Sequence, residues 1–134
     1  MNKFVSFEGI GYVAATFPVS ASTKTYLEAN HLNPKTGNVD INGKNLAVML
    51  NTDGTVGFGS GALLGIIKTY EMDGFAAVQI KGGIDEVPTA EALQSGVKSL
   101  KVNSSGAIVA GDNGNVVTVA KPSSADSLFA SIIL

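Results

Sequence analysis

Short apolar segments separated by glycine-rich or polar turns run through most of the chain. Residues 75–81, FAAVQIK, show the pattern clearly, because Ala76, Val78 and Ile80 fall on one side of an extended strand and the intervening residues on the other. Two glycines and a second short apolar run follow, and that run ends at Pro88. The pattern is typical of strands joined by tight turns and predicts a mainly β protein.

Further extended segments are predicted on the same grounds, at 4–19, 46–50, 55–58, 63–70, 100–102, 107–110, 116–120 and 127–134. Strands at this spacing, with little helix between them, predict one compact β-barrel or β-sandwich. Its core is expected to contain Val48, Leu50, Val56, Leu64, Ile66, Val78, Ile80, Leu93, Val102, Ile108, Val117, Val119, Leu128, Ile132 and Ile133.

One or two short helices are predicted between the strands. The segment 25–31 begins with Thr-Tyr-Leu-Glu, which fits a capping box, and its helix must end before Pro34. The segment 89–94 is the second candidate, with Thr89 as N-cap and Gly96 as the stop.

Two segments of the chain resemble each other. Residues 50–56 read LNTDGTV and residues 102–108 read VNSSGAI. In each, the asparagine can hydrogen-bond its own turn and the glycine can supply the positive φ of a hairpin with a bulge. Two independent hairpins with the same turn chemistry explain the likeness, and an old duplication is the alternative.

The composition fits one domain spanning residues 1–134. Hydrophobic residues make up 45% of the chain and charged residues 15%, which predicts a packed core instead of disorder. The net charge is −2 and all nine basic residues are lysines. Because arginine is the residue best suited to bidentate recognition of phosphate and guanine, this balance argues against a nucleic-acid partner.

Cysteine is absent, which excludes disulfides and thiolate metal sites. Residues 1–24 superficially resemble a signal peptide, but Glu8 interrupts the apolar part, and we interpret them as mature protein. The longest apolar runs, such as 63–67, are too short to cross a bilayer. We expect a soluble protein, intracellular when made, with no membrane partner.

Motifs for nucleophilic catalysis or nucleotide binding are weak. The single histidine, His31, lies in a polar segment, where an exposed loop or helix-end position is expected. Residues 9–14 spell G-x-G-x-x-A, but strand-like sequence stands on both sides where a dinucleotide site needs a following helix. Residues 57–62 contain the glycines of a phosphate loop without its Lys-Ser/Thr, and Ser60 lacks the G-x-S-x-G frame.

Carboxylate sites are equally incomplete. The segment after Asp40 begins like a calcium loop, but Lys44 stands at the third ligand position and Asn51 replaces the bidentate glutamate. Asp85-Glu86 could belong to a glycosidase pair, yet the chain has no tryptophan to form a sugar platform, so solvated strand-end charges are expected. We predict no enzyme activity, no cofactor and no metal site.

The second half of the chain has a distinctive order of short motifs: LGII (64–67), EMDG (71–74), AVQI (77–80), GIDEV (83–87), ALQSG (92–96) and VNSSG (102–106). Over residues 62–120 this order resembles the small capsid decoration, or cement, proteins of tailed bacteriophages. The resemblance implies a compact β-barrel or β-tulip fold. It also implies binding to the major capsid protein on the outer capsid surface, often as a homotrimer. The location would be the virion, after synthesis in the host cytoplasm.

Two other functions remain open. A tail-tube or head–tail joining subunit would also be rich in β-structure, although a tube subunit usually needs longer and flatter strands. A glycan-binding adhesion module is the second alternative, and specific saturable binding to a glycan array would favour it.

The first 19 residues contain four of the nine aromatic residues. They form either the first strand of the domain or an arm that adds a strand to another protein's sheet. For the arm, capsid contact is expected at Lys3, Phe4, Val5, Phe7 and Glu8.

The C-terminal segment is the second expected contact. No charged residue follows Asp126, so an exposed strand edge there would be unprotected. We expect the segment to be buried within the subunit or against a neighbouring copy through Leu128, Phe129, Ile132, Ile133 and Leu134.

Overall fold

The computed structural model describes residues 13–71 and 73–134, which form ten strands and one helix. In chain order these are β1 (Val13–Pro18), α1 (Ala21–Asn30), β2 (Ala47–Leu50), β3 (Val56–Gly57), β4 (Gly65–Tyr70), β5 (Phe75–Lys81), β6 (Gly83–Pro88), β7 (Gly96–Val102), β8 (Ile108–Ala110), β9 (Asn115–Lys121) and β10 (Phe129–Ile133). The prediction of a mainly β fold is confirmed, and each predicted strand in the described part is present.

The strands form two five-stranded sheets with antiparallel neighbours. The first sheet has the order β1-β5-β4-β2-β3, and the second has the order β6-β10-β9-β7-β8. The fold is consistent with a β-sandwich, because neither sheet closes into a barrel.

The two sheets have the same topology. Adding five to each strand number of the first sheet reproduces the order of the second. The two similar segments seen in the sequence form equivalent hairpins, β2–β3 and β7–β8. In one, the Asn51 amide donates to the Thr55 carbonyl at 2.8 Å, and in the other the Asn103 amide donates to the Ala107 carbonyl at 2.9 Å. This agreement favours duplication over two independent hairpins.

The equivalence extends beyond the hairpins. A parallel bridge joins Val19 to Val56 after β1, and a parallel bridge joins Thr89 to Ile108 after β6. The amides of the next residues, Ser20 and Ala90, each donate to the bridged carbonyl at 2.9 Å. These bridges bring the outer strands of each sheet together at one point, so both sheets are curled in the same way.

Burial follows the two sheets. The first-sheet core consists of Leu27, Ile41, Leu46, Val48, Val56, Ile67, Ala76 and Val78. The second-sheet core consists of Ala47, Leu63, Ile66, Ile84, Val87, Leu93, Leu100, Val102, Ile108, Val117, Val119, Ala130 and Ile132. Because adjacent residues of a strand point to opposite faces, β2 and β4 contribute to both cores and the first sheet is covered on both sides.

Most of the predicted core positions are buried, namely Val48, Val56, Ile66, Val78, Leu93, Val102, Ile108, Val117, Val119 and Ile132. Leu64, Ile80 and Ile133 are partly buried. The prediction was wrong for Leu50 and Leu128, which are 50% and 39% exposed. Leu50 is the last residue of β2 before its turn, and Leu128 precedes β10, so both lie beyond the packed centre of their sheet.

Helix α1 begins earlier than predicted. Ser20 is its N-cap, and the Ser20 hydroxyl accepts a hydrogen bond from the Thr23 amide at 3.4 Å. Thr25 therefore lies inside the helix, where its hydroxyl donates to the Ala21 carbonyl at 3.1 Å. The helix ends at Asn30, before the proline as predicted, and Leu27 is its fully buried anchor.

The predicted helix at 89–94 is wrong, because the segment is irregular. Its backbone groups bond to other parts of the chain instead of to each other. The Leu93 amide donates to the Ser123 hydroxyl at 2.8 Å, and the Leu93 carbonyl accepts from the Ser123 amide at 2.9 Å. These tertiary hydrogen bonds replace the ladder that a helix would supply.

Candidate functional site

His31 follows α1 at the rim of a cleft of about 510 Å³. Partial burial is the main cause that lowers the pKa of the imidazole, and the positive charge of Lys44 lowers it further. The other lining residues are Asn30, Leu32, Asn33, Pro34, Asp40 and Asn42. No hydroxyl or thiol lines this cleft, so nucleophilic catalysis by a serine, threonine or cysteine has no group there.

The carboxylates of the described residues do not form a metal site. Between 13 and 71 and between 73 and 134, no cluster of three or more His, Asp or Glu side chains is placed to hold an ion. Asp40 accepts from the Asn42 amide at 3.2 Å, and the segment forms a turn. Asp85 is half-buried and accepts from the Ser131 hydroxyl at 2.6 Å, so the expectation of a solvated charge was wrong there, while Glu86 is exposed.

The glycine-rich segment 57–62 lies between β3 and β4, and its backbone hydrogen-bonds to the β7–β8 hairpin of the second sheet. The Gly59 amide donates to the Asn103 carbonyl at 3.3 Å, and the Gly61 carbonyl accepts from the Val102 amide at 2.9 Å. A Cβ atom on either glycine would come within 3 Å of the flexible end of the Met49 side chain, which would have to move. The segment therefore forms a connection between β3 and β4.

A second cleft, of about 600 Å³, lies between α1, the 37–39 loop and the β4–β5 turn. Lys24, Glu28, Asn38, Tyr70 and Glu71 supply its polar groups. The Tyr70 hydroxyl is buried and has no hydrogen-bond partner among the described residues. Desolvation, with further contributions from nearby carboxylates that include Glu28, raises the pKa of this hydroxyl. The cleft could hold a small polar ligand, but its residues form no pair of nucleophile and base.

Two exposed phenylalanines occupy equivalent positions in the two halves. Phe75 begins β5 opposite Pro18, and Phe129 begins β10 opposite Pro88. Their exposed fractions are 42% and 47%. Of these two residues, only Phe129 has a contact role predicted from sequence, because the equivalence of FAAV and FASI depends on the sheet order. The molecule therefore presents the same aromatic and proline pair twice.

The predicted C-terminal contact is only partly accessible. Strand β10 lies between β6 and β9, so it is paired on both sides within the subunit, one of the two arrangements expected for this segment. Ile132 is buried in the second-sheet core, whereas Ile133 and Leu134 are partly buried. Leu128 and Phe129 are exposed, and contact with a neighbouring copy stays a prediction for them.

The predicted capsid-contact residues Lys3, Phe4, Val5, Phe7 and Glu8 lie outside the described residues. Of the first 19 residues, 13–18 form β1, which pairs with β5. That part of the segment is therefore the first strand of the domain, and the docking arm stays a prediction for the residues before it.

The fold is a doubled β structure that exposes a phenylalanine at the same position in each half. In comparisons with known proteins, no family model matches the chain, and no curated protein or solved structure matches it. No helix in the described part of the chain is long and apolar enough to span a membrane.

Proposed function

We propose that the chain is a structural virion protein that binds the outer surface of a phage capsid and stabilises it, with the major capsid protein as partner. The observation that carries the proposal is the pair of equivalent exposed residues, Phe75 and Phe129, on one doubled scaffold. Partly exposed aromatic side chains often dominate the binding free energy of protein interfaces. The capsid as the partner is supported by the resemblance of residues 62–120 to decoration proteins.

Repetition strengthens weak contacts. When one rigid body binds through two equivalent points, the second contact forms at a high effective concentration. Many copies on a symmetric shell extend the same effect over the whole surface. A structural role of this kind needs shape and exposed apolar area, and it needs no reactive group.

Co-sedimentation with empty capsids of tailed phages tests the proposal. We expect Phe75→Ser and Phe129→Ser each to weaken binding, and the double variant to abolish it. The control is Val97→Ser, because Val97 is also exposed, at 69%, but lies on β7 away from both phenylalanines. Failure of the unaltered protein to bind any capsid, or equal losses in the control, would contradict the proposal.

The docking arm is tested separately by deleting residues 2–8. Loss of capsid binding with unchanged thermal stability supports an arm, whereas loss of stability supports a strand of the domain. Retention of both properties contradicts each version.

Glycan binding is the second candidate function. The cleft that contains Lys24, Glu28 and Asn38 offers donors and acceptors for sugar hydroxyls. Specific binding to a glycan array that is lost in Glu28→Ala would support it, and a blank array would exclude it. A tail-tube subunit is less favoured, since no described strand exceeds seven residues.

A further inference from the structure

The two halves differ most in how their equivalent outer strands are protected. β1 is the outer strand of the first sheet, and β6 holds the same place in the second. An outer strand exposes unpaired amides and carbonyls, so proteins usually cover it, charge it or interrupt it with a bulge. The edges formed by β1 and β6 can therefore be compared within one molecule.

β6 carries several of these protections. Opposite Ser131, the register of β6 shifts, and Glu86 has a positive φ of 56°. Two acidic side chains, Asp85 and Glu86, interrupt the strand. In addition, the Asn45 side chain donates to the carbonyls of Asp85 at 2.8 Å and Glu86 at 3.4 Å.

β1 carries fewer of them. Its register shifts once, between Val13 and Ala14, and Pro18, like Pro88 of β6, has no amide to donate. Between Ala14 and Phe17 it has neither a bulge nor a charge. This part of the strand pairs with β5 in unbroken register, and no residue from 13 to 18 is charged. Within the described part of the chain, residues 13–18 make no hydrogen bond outside the β1–β5 ladder. Val13, at the start of the strand, is a large exposed apolar residue.

We propose that β1 pairs edge to edge with β1 of a second copy of this chain, in antiparallel orientation about a two-fold axis. The alternatives within the described residues are poor, because the outer strands β3 and β8 have two and three residues and β6 is covered. An uncharged strand opposes no like charges when it meets itself. Pairing about a two-fold axis also closes the assembly at two copies.

The ends of the strand complement each other in this arrangement. With the axis at Thr16, Ala14 of one copy lies opposite Pro18 of the other on the exposed face of β1, next to Phe75, which pairs with Pro18, so exposed side chains of the two copies cover each other. A strand of six residues is about 20 Å long, so the contact is small and the dimer is expected to be weak and concentration-dependent. The proposal is independent of capsid binding.

Sedimentation equilibrium of the full chain tests the proposal with two matched variants. Thr16 on β1 and Glu86 on β6 are equivalent exposed positions. We expect Thr16→Lys to weaken dimerisation by roughly tenfold or more, since each dimer contains the charge twice. Glu86→Lys should leave the dimer unchanged. A monomer at every concentration, a trimer, or equal effects of the two variants would overturn the proposal.

Cysteine cross-linking provides a second measurement that does not depend on the folding of Thr16→Lys. The chain has no native cysteine, so single cysteines at positions 13 to 17 report only the introduced thiol. Under mild oxidation, cross-linking should peak at one position near the axis and decline on both sides, with Glu86→Cys as the unreactive control. Uniform or absent cross-linking along β1 would contradict the strand pair.

Discussion

The two equivalent hairpins allow the cost of a side chain at a positive φ to be measured separately from the cost of overpacking. Gly54 in the β2–β3 turn and Gly106 in the β7–β8 turn have φ values of 87° and 84°, so both occupy a conformation that disfavours a side chain. Their surroundings differ. A Cβ atom on Gly54 would meet no atom within 4 Å, whereas one on Gly106 would lie 2.7 Å from Cε1 of Phe58 and 3.2 Å from Cβ of Leu46.

Gly54→Ala should therefore cost only the backbone term, about 1–2 kcal/mol of unfolding free energy. Gly106→Ala should cost the same term plus overpacking of about 1–3 kcal/mol, or about 2–5 kcal/mol in total. The Phe58 ring has little freedom to move away, because it packs edge-on against Tyr26 at a centroid distance of 5.4 Å.

Urea unfolding followed by far-ultraviolet circular dichroism measures both variants. With an m-value of about 2 kcal/mol/M, the expected difference in cost corresponds to about 0.5–1.5 M between the two midpoints. The variant Phe58→Leu provides the control, since a smaller side chain should reduce the penalty of Gly106→Ala and leave that of Gly54→Ala unchanged. Equal losses at the two glycines would refute the packing argument.

Two other substitutions test single hydroxyl groups by the same unfolding measurement. Ser123→Ala should lower stability by about 1–3 kcal/mol, because it leaves the buried Leu93 amide without its acceptor, and an unchanged midpoint would show that the 89–95 segment is held by other contacts. Tyr70→Phe should leave stability unchanged or raise it by up to about 1 kcal/mol, because the buried hydroxyl has no described partner, and a clear loss of stability would show that solvent or residues outside the described part satisfy it.

The turns and strands were predictable because their signals are local. An asparagine followed three residues later by glycine determines the turn at Asn51 and at Asn103, and alternating apolar residues identify the flanking strands. The helix start was predicted wrongly, since the capping box at Thr25 is a local signal and the true cap is Ser20. Ser20 prevails because Thr23, in the first turn it caps, accepts a hydrogen bond from the Phe58 amide at 3.0 Å, a contact 35 residues away.

The candidate contact residues depended even more on distant pairing. Phe75 and Phe129 have similar neighbours in sequence, but only the order of the strands shows that they are equivalent. The same strand order places β10 inside its sheet. In sequence, β10 is an apolar strand near the end of the chain, and nothing in that pattern indicates that it pairs on both sides. The local pattern therefore predicted the strand and the burial of Ile132, but it could not predict which strands lie at the edges of the sheet.

The differences between the halves are concentrated at the positions that cover each sheet. Between β1 and β2, residues 19–46 include α1 and contribute Leu27, Ile41 and Leu46 to the first-sheet core. Between β6 and β7, the equivalent connection is only 89–95, and Leu93 alone contributes to its core. The two halves share their strand order, whereas the connecting segments that cover each sheet and the outer strands differ. The proposed pairing of two copies uses one such difference, the edge of β1, whereas the proposed capsid contact uses Phe75 and Phe129, which are equivalent in the two halves.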